Sequence, residues 1–167
     1  KGKIINRLVQ ALDPRGFTVY STLPPTEEEA LHPFLWRFWP RTPARGRIAV
    51  FDRSWYRLVS TDRLDGPVKG RALQQAYADI VSFERLLADD GNVILKFFLH
   101  ISKQEQKQRF RKLESCATTA WRVTKADWRH HKAYERLLAA AEDMLASTDS
   151  DFAPWTLVAG NDKKFAR

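Results

Sequence analysis

The sequence lacks most of what a secreted, membrane-bound or zinc-binding protein requires. Cys116 is the only cysteine among the 167 residues, so no disulfide can form within the chain. No apolar run approaches the roughly 20 residues that span a bilayer, and no secretory leader is recognisable. The four histidines lack the spacing of metal ligands, both among themselves and relative to Cys116. We therefore expect a cytoplasmic protein that makes no contact with a membrane.

The composition is that of a folded domain. Hydrophobic residues make up 44% of the chain and aromatic residues 12%, which argues against disorder. A chain of 167 residues fits one domain and is long enough to bury a substantial core. The sequence therefore predicts a single domain over residues 1–167.

Positive charge is concentrated in one segment. The formal net charge is +8, and the segment Lys103–Lys125 holds seven basic residues against two acids, a net of +5. Because a solvated helix face normally mixes both signs, this concentration predicts a surface for a polyanion: nucleic acid, a nucleotide or a chain of phosphates. We do not expect nucleic acid, since Phe110 and Trp121 are the only aromatic residues in the segment.

Hydrophobic periodicity predicts that helices and strands alternate along the chain. Strands are expected at Phe17–Ser21, Ile48–Phe51, Val93–Leu99 and Trp155–Ala159. Helices are expected over residues 4–12, 26–39, 54–63, 73–87 and 134–145, and a further helix, capped by Ser102, is expected to carry the basic segment. Thr26 and Glu29 have the spacing of a capping box at the start of the second helix. The alternation indicates an α/β domain with a mostly parallel sheet.

The strand at Ile48–Phe51 is followed directly by residues that can bind a ligand or take part in catalysis. Its four apolar residues predict a strand buried on both faces, and Asp52, Arg53 and Ser54 follow directly. Ligands of open α/β sheets bind at the carboxyl ends of strands. An acid there can hold Mg²⁺ and an arginine can bind phosphate, as in the Walker B element of phosphotransferases. The alternative is that Asp52 is only a solvated strand end.

The chain begins with Lys1, Gly2 and Lys3 directly before the first predicted helix. A glycine and a lysine before a helix amino terminus are typical of the last part of a phosphate-binding loop. We expect a preceding strand and most of such a loop to be missing from this sequence.

Several segments together resemble one family over nearly the whole chain. They are Lys1-Gly2, Leu12-Asp-Pro-Arg-Gly-Phe17, Pro25-Thr-Glu-Glu-Glu29, Leu35-Trp-Arg-Phe38, Phe51-Asp-Arg-Ser-Trp-Tyr56 with Asp62-Arg63, Phe83-Glu-Arg-Leu86, Lys96-Phe-Phe-Leu-His-Ile-Ser-Lys103, Arg109-Phe110 and Ala153-Pro-Trp155. In this order they resemble the polyphosphate kinase type 2 family, in particular its polyphosphate:AMP phosphotransferase branch. The resemblance implies a three-layer α/β/α P-loop kinase fold, related to thymidylate kinase, with a helical lid at residues 103–127.

The resemblance also implies a reaction. Members transfer a phosphoryl group between inorganic polyphosphate and a nucleoside mono- or diphosphate such as AMP or ADP. The transfer requires Mg²⁺, with Mn²⁺ as a possible substitute, and members tend to form homo-oligomers.

By position, the resemblance assigns roles to individual residues. Lys1, Asp52 and Arg53 are the expected catalytic residues, with Asp52 at the metal. Those expected to bind nucleotide or phosphate are Gly2, Lys3, Arg37, Arg41, Asp62, Arg63, Lys96, Arg109, Arg122 and Lys125. Among these, Asp62 would position the neighbouring arginines, and Arg109, Arg122 and Lys125 would belong to the lid. For Lys96, which interrupts an apolar strand, the alternative is a side chain that packs its stem and extends to water.

Two departures from the family pattern support a second hypothesis. The family's Gly-x-Asp-x-x-Gly run is absent ahead of Lys1, and residues 115–121 lack the usual Asp-Pro step of the lid. The alternative function is therefore a catalytically degenerate domain that binds polyphosphate or acts as a scaffold within a two-domain protein.

Overall fold

The computed structural model describes residues 2–63, 66, 68–162 and 165, without the side chain of Lys3. It divides into two compact units, Lys1–Leu86 and Leu87–Ala166, which we call the first and second unit. The organisation as one domain stays a prediction.

The first unit combines three α-helices, two 3₁₀ helices and two strands among its described residues. In chain order these are α1 (Gly2–Val9), β1 (Phe17–Ser21), α2 (Glu27–Ala30), the 3₁₀ helix Trp36–Arg41, β2 (Ile48–Asp52), the 3₁₀ helix Trp55–Arg57 and α3 (Arg71–Asp89), whose last turn crosses the unit boundary. Strands β1 and β2 pair in parallel, so that Ser21 and Asp52 lie opposite each other at the carboxyl ends. Parallel strands and the long helix α3 were predicted correctly.

Two helices predicted in the first unit are wrong. The helix expected to run from Thr26 to Trp39 ends at Ala30 and is followed by the 3₁₀ helix Trp36–Arg41. Pro33 explains the break, because proline lacks the amide hydrogen of a helix interior and its ring clashes with the preceding turn. The capping box at Thr26 and Glu29 is nevertheless present.

The helix expected from Ser54 to Arg63 is instead a short 3₁₀ helix, Trp55–Arg57, followed by turns. Local hydrogen bonds compete with a regular helix here. The Ser60 hydroxyl donates to the Tyr56 carbonyl at 2.7 Å, and the Asp62 amide donates to the Arg57 carbonyl at 3.1 Å.

The core of the first unit is aromatic and lies against α3. Phe38, Trp55 and Phe83 are buried, and the Trp55 ring meets the other two edge-on at centroid distances of 5.7 and 5.0 Å. Strand β2 is not buried on both faces as predicted: Ile48 is 45% exposed and the rest of the strand is half-buried. Among the described residues β2 pairs with β1 alone, so less of its surface is covered than in the centre of a wide parallel sheet.

The second unit contains two strands and four helices among its described residues. They are β3 (Lys96–His100), α4 (Lys103–Glu114), α5 (Ala117–Ala120), α6 (Lys125–Lys132), α7 (Tyr134–Thr148) and β4 (Trp155–Ala159). Strands β3 and β4 pair in parallel from Lys96 opposite Trp155 onwards. Strand β4 was predicted with these bounds, whereas β3 begins three residues later than expected.

Capping residues explain where two helices of the second unit begin. Ser102 caps α4, because its hydroxyl accepts a hydrogen bond from the Glu105 amide. Thr124 and Asp127 form a capping box at the start of α6, a helix that the sequence did not predict. No helix in the described part of the chain is long and apolar enough to cross a membrane.

Candidate functional site

Asp52 and Arg53 end strand β2 and are adjacent charged side chains. The Asp52 carboxylate is half-buried, and its backbone carbonyl accepts a hydrogen bond from the Thr22 amide at 3.0 Å. Among the described residues, neither Asp52 nor Arg53 has an ion pair. Arg53 is exposed and has a φ of 59°, a left-handed conformation that is uncommon for a residue with a side chain. Such backbone outliers cluster at ligand-binding sites.

Glu29 holds two of the predicted arginines. Its carboxylate forms ion pairs with Arg37 at 3.1 Å and with Arg41 at 3.2 Å, one on each oxygen, and accepts a hydrogen bond from Arg41. The Thr26 amide donates to the oxygen that faces Arg37, at 3.0 Å. The Thr26 backbone amide therefore holds the carboxylate in place, and the carboxylate holds the arginines.

Asp62 pairs with an arginine that the sequence did not single out. The Nε of Arg57 lies 3.0 Å from both oxygens of Asp62. A second nitrogen of Arg57 donates to the Thr22 carbonyl at 3.2 Å, just beyond the end of β1. The prediction that Asp62 positions arginines thus applies to Arg57, while Arg37 and Arg41 are paired with Glu29.

These five side chains form what we call the arginine cluster: Glu29, Arg37, Arg41, Arg57 and Asp62. The pKa of Arg37 is lowered mainly by burial, with Glu29 opposing that shift and the positive charges of Arg41 and Arg57 adding to it. The pKa of Glu29 is lowered, chiefly by the hydrogen bond from the Thr26 amide. Three cations and two anions leave one net positive charge, which favours an anionic ligand.

Two buried polar atoms near the cluster have no hydrogen-bond partner in the described part of the chain. They are the Nε of Arg37 and the hydroxyl of Thr22. The Arg37 side chain is only 10% exposed. Buried donors are normally paired, so an unpaired one calls for an explanation such as a missing ligand.

Arg63 and Trp55 have other surroundings. Arg63 donates to the Tyr77 hydroxyl on α3 at 3.3 Å. Trp55 is 7% exposed and donates to the buried Glu84 carboxylate at 3.0 Å. Its position favours packing over contact with a base.

Lys96 in the second unit is buried. Its ammonium donates to the Thr148 carbonyl at 2.7 Å, at the carboxyl end of α7, and lies 4.9 Å from the centre of the Trp155 ring. Cations are favoured at helix carboxyl termini and over aromatic faces. These contacts favour a structural role for Lys96 over the phosphate contact expected from the sequence.

The three expected lid cations divide into one that is tied down and two that are exposed. Arg109 donates to Glu105 at 2.6 Å and to the backbone carbonyls of Gly160 and Asn161 at 2.7 and 3.1 Å. Arg122, between α5 and α6, and Lys125, the first residue of α6, are exposed, and neither has an ion pair among the described residues. Arg109 therefore joins α4 to the backbone that follows β4, while the charged groups of Arg122 and Lys125 are exposed to solvent.

Some predicted residues cannot be located. Lys1 and the side chain of Lys3 lie outside the described residues, and Gly2 is the first residue of α1. Sequence reasoning missed Glu29 and Arg57. The capping box could have pointed to Glu29 as a fixed carboxylate, but no sequence signal pairs Arg57 with Asp62 across five residues.

The donor set at Asp52 fits a magnesium ion. Among the described residues no three His, Cys, Asp or Glu side chains come together as a metal site. Mg²⁺ is commonly bound by one or two carboxylates together with substrate phosphates. A half-buried carboxylate without an ion pair, as at Asp52, meets that requirement.

Comparison with known proteins identifies one family. The model of the family described as Polyphosphate kinase 2 (PPK2) matches residues 1–167. The polyphosphate:AMP phosphotransferase of Pseudomonas aeruginosa is 41% identical over all 167 residues, which cover 34% of that protein. The AMP/ADP-polyphosphate phosphotransferase of Meiothermus ruber is 35% identical over 161 residues, 96% of this chain and 60% of that protein. The chain thus spans a third to three-fifths of the length of these relatives.

Solved structures give the same result. A polyphosphate kinase 2 structure from Pseudomonas aeruginosa matches with a TM-score of 0.95 and 41% identity, covering 100% of this chain and 36% of that one. A polyphosphate kinase 2 structure from Arthrobacter aurescens matches with a TM-score of 0.96 and 35% identity, covering 99% of this chain and 59% of that one. The predicted α/β fold of the P-loop kinase type is confirmed.

Proposed function

Because the chain belongs to the polyphosphate kinase 2 family, we propose that its parent protein moves a phosphoryl group between inorganic polyphosphate and AMP or ADP. The observation that carries this proposal is the end of β2, where the Asp52 carboxylate and the exposed Arg53 stand together without ion pairs among the described residues. The names of the relatives, polyphosphate:AMP and AMP/ADP-polyphosphate phosphotransferase, support this pair of substrates.

We assign Asp52 to a divalent cation, Mg²⁺ or Mn²⁺. Such an ion, when bound, would neutralise charge on the phosphate oxygens during transfer. The protein's own task is to bind, orient and exclude water. Phosphoryl transfer depends mainly on in-line positioning and on cations at the peripheral oxygens.

Arginine suits this task because its planar fork contacts two oxygens at once and keeps its charge. In the first unit, Arg53 and the arginine cluster would receive phosphate groups. Lys1, Gly2 and Lys3 stay predicted parts of the phosphate loop, and Arg63 stays a predicted phosphate contact.

In the second unit, Arg122 and Lys125 would contact the polyphosphate chain. Their exposure and lack of ion pairs among the described residues leave their charge available to a polyanion. A basic segment that closes over the substrates would also exclude water, which competes as an acceptor. The lid at 103–127, the cytoplasmic location and the homo-oligomer stay predictions.

The test is an assay of the full-length protein that carries this chain, with polyphosphate, Mg²⁺ and either AMP or ADP. We expect formation of the next higher nucleotide, and a loss of turnover of about a thousandfold or more in Asp52→Asn. The melting temperature of Asp52→Asn shows whether this variant still folds, and the neighbouring Ser54→Ala variant serves as the control for a small change at the same strand end. Binding of polyphosphate without any transfer by the wild-type protein would instead support the scaffold hypothesis.

A further inference from the structure

Glu29 is a half-buried carboxylate whose two oxygens contact two separate guanidinium groups. One oxygen receives Arg37 and the Thr26 amide, and the other receives Arg41. The side chains of Glu29 and Arg37 are 13% and 10% exposed. A charged hydrogen-bond network this well shielded from water holds its members more firmly than a surface pair.

The network leaves one donor unused. Arg37 turns an amino group towards Glu29, while its buried Nε has no partner among the described residues. A carboxylate can receive a guanidinium through two nitrogens at once, so the contact seen here engages only part of the fork. The Nε itself is shielded from solvent, so another anion would reach this pair of arginines through Arg41, whose side chain is 32% exposed.

We propose that Glu29 is a positioning residue: it holds Arg37 and Arg41 in orientations that present their free N–H groups to a phosphate of the nucleotide. This inference rests on the function proposed above and extends it to a residue outside the predicted site. Glu29 does not touch the substrate. It acts through the two arginines.

The nucleotide is favoured over polyphosphate as the ligand because the arginine cluster is compact and most of its positive charge is neutralised. With two carboxylates against three arginines, the cluster carries little excess charge, which suits one phosphate group held in a defined geometry. A polyphosphate chain needs a longer row of cations, such as the exposed charges of the basic segment Lys103–Lys125.

The experiment compares Glu29→Gln with two matched controls in the full-length protein. In Glu29→Gln the amide group can accept from only one arginine, so the other loses its partner. Thr26→Ala removes the other half of the capping box but keeps the Thr26 backbone amide that donates to Glu29. Glu28→Gln makes the same change in net charge at an exposed neighbouring position.

Steady-state kinetics with each substrate varied in turn gives the readout. We expect Glu29→Gln to raise the KM for AMP or ADP about tenfold, and the KM for polyphosphate less than about twofold. Both controls should leave the two KM values unchanged. Thr26→Ala should lower the melting temperature because it removes the hydroxyl that caps α2, so unchanged KM values in this variant separate the kinetic effect of Glu29→Gln from loss of the helix cap.

Calorimetric titration of AMP or ADP without polyphosphate gives a second readout that does not depend on turnover. Weaker binding by Glu29→Gln, with restoration towards the wild type in Glu29→Asp, is the expected pattern. Unchanged nucleotide affinity in Glu29→Gln, or a change in the polyphosphate KM alone, overturns the inference. Those outcomes differ from failure of the proposed function, in which the wild-type protein itself transfers no phosphate.

Discussion

The arginine cluster of the first unit and the basic side chains of the second unit are held in different ways. In the first unit, Arg37, Arg41 and Arg57 are each paired with a carboxylate and are largely shielded from solvent. In the second unit, Lys96 and Arg109 are tied to backbone carbonyls, and Arg122 and Lys125 are exposed. The basic side chains therefore fall into three groups: those oriented by a carboxylate, those that stabilise the fold through backbone carbonyls, and those that are exposed to solvent.

Orientation and exposure suit different ligands. A guanidinium fixed by a carboxylate presents its remaining N–H groups at a set angle, which favours one phosphate in one pose. Exposed cations act through the field they create and tolerate many poses, which suits a chain of repeating phosphates. The comparison therefore predicts that substitutions in the arginine cluster of the first unit alter catalysis strongly, and that each exposed cation of the second unit contributes less.

The largest effect in this comparison is expected at Arg57. Arg57→Lys keeps the charge but cannot contact both oxygens of Asp62 and the Thr22 carbonyl together. We expect kcat/KM for phosphoryl transfer to fall about tenfold to a hundredfold, measured with saturating polyphosphate. Arg71→Ala, an exposed position at the start of α3, is the control and should retain full activity. Equal activity in both variants would remove Arg57 from the functional cluster.

An intermediate effect, on stability, is expected at Lys96. Lys96→Met removes the donor to the Thr148 carbonyl and the cation over the Trp155 ring. We expect the free energy of unfolding to fall by about 1–3 kcal/mol, measured by denaturant titration, with the polyphosphate KM unchanged. A large rise in that KM at unchanged stability would restore the phosphate contact that the sequence suggested.

The same contrast explains how much the sequence could predict. Strands β1, β2 and β4, the long helix α3 and the capped starts of α2 and α4 follow from periodicity and capping residues, which are local signals. The helix expected across residues 26–39 failed because a local proline, Pro33, outweighs the apolar periodicity around it. Helix boundaries therefore depended on single residues, whereas the order of elements did not.

The site was predictable only where a residue's role follows from its place on an element. Asp52 and Arg53 could be found because they end a strand. The pairs of Glu29 with Arg37 and Arg41 depend on how the 3₁₀ helix Trp36–Arg41 is placed relative to α2, and the pair of Arg57 with Asp62 depends on the turns after the 3₁₀ helix Trp55–Arg57. Likewise, residue type alone could not distinguish the buried Lys96 from the exposed Lys125.

The smallest effect is expected at the exposed cations of the second unit. Arg122→Ala removes one charge that has no ion pair among the described residues, so the fold should keep its melting temperature. The polyphosphate KM should rise by a few-fold, about 1 kcal/mol or less, because exposed charges are screened by salt. That rise should shrink as the salt concentration increases, whereas the defect of Arg57→Lys, which stems from lost orientation, should persist.

Arg136→Ala, exposed on α7, provides the charge-matched control. A salt-independent defect at Arg122 as large as that at Arg57 would mean that this exposed arginine is oriented as tightly as those of the first unit, and the distinction between the two units would fail.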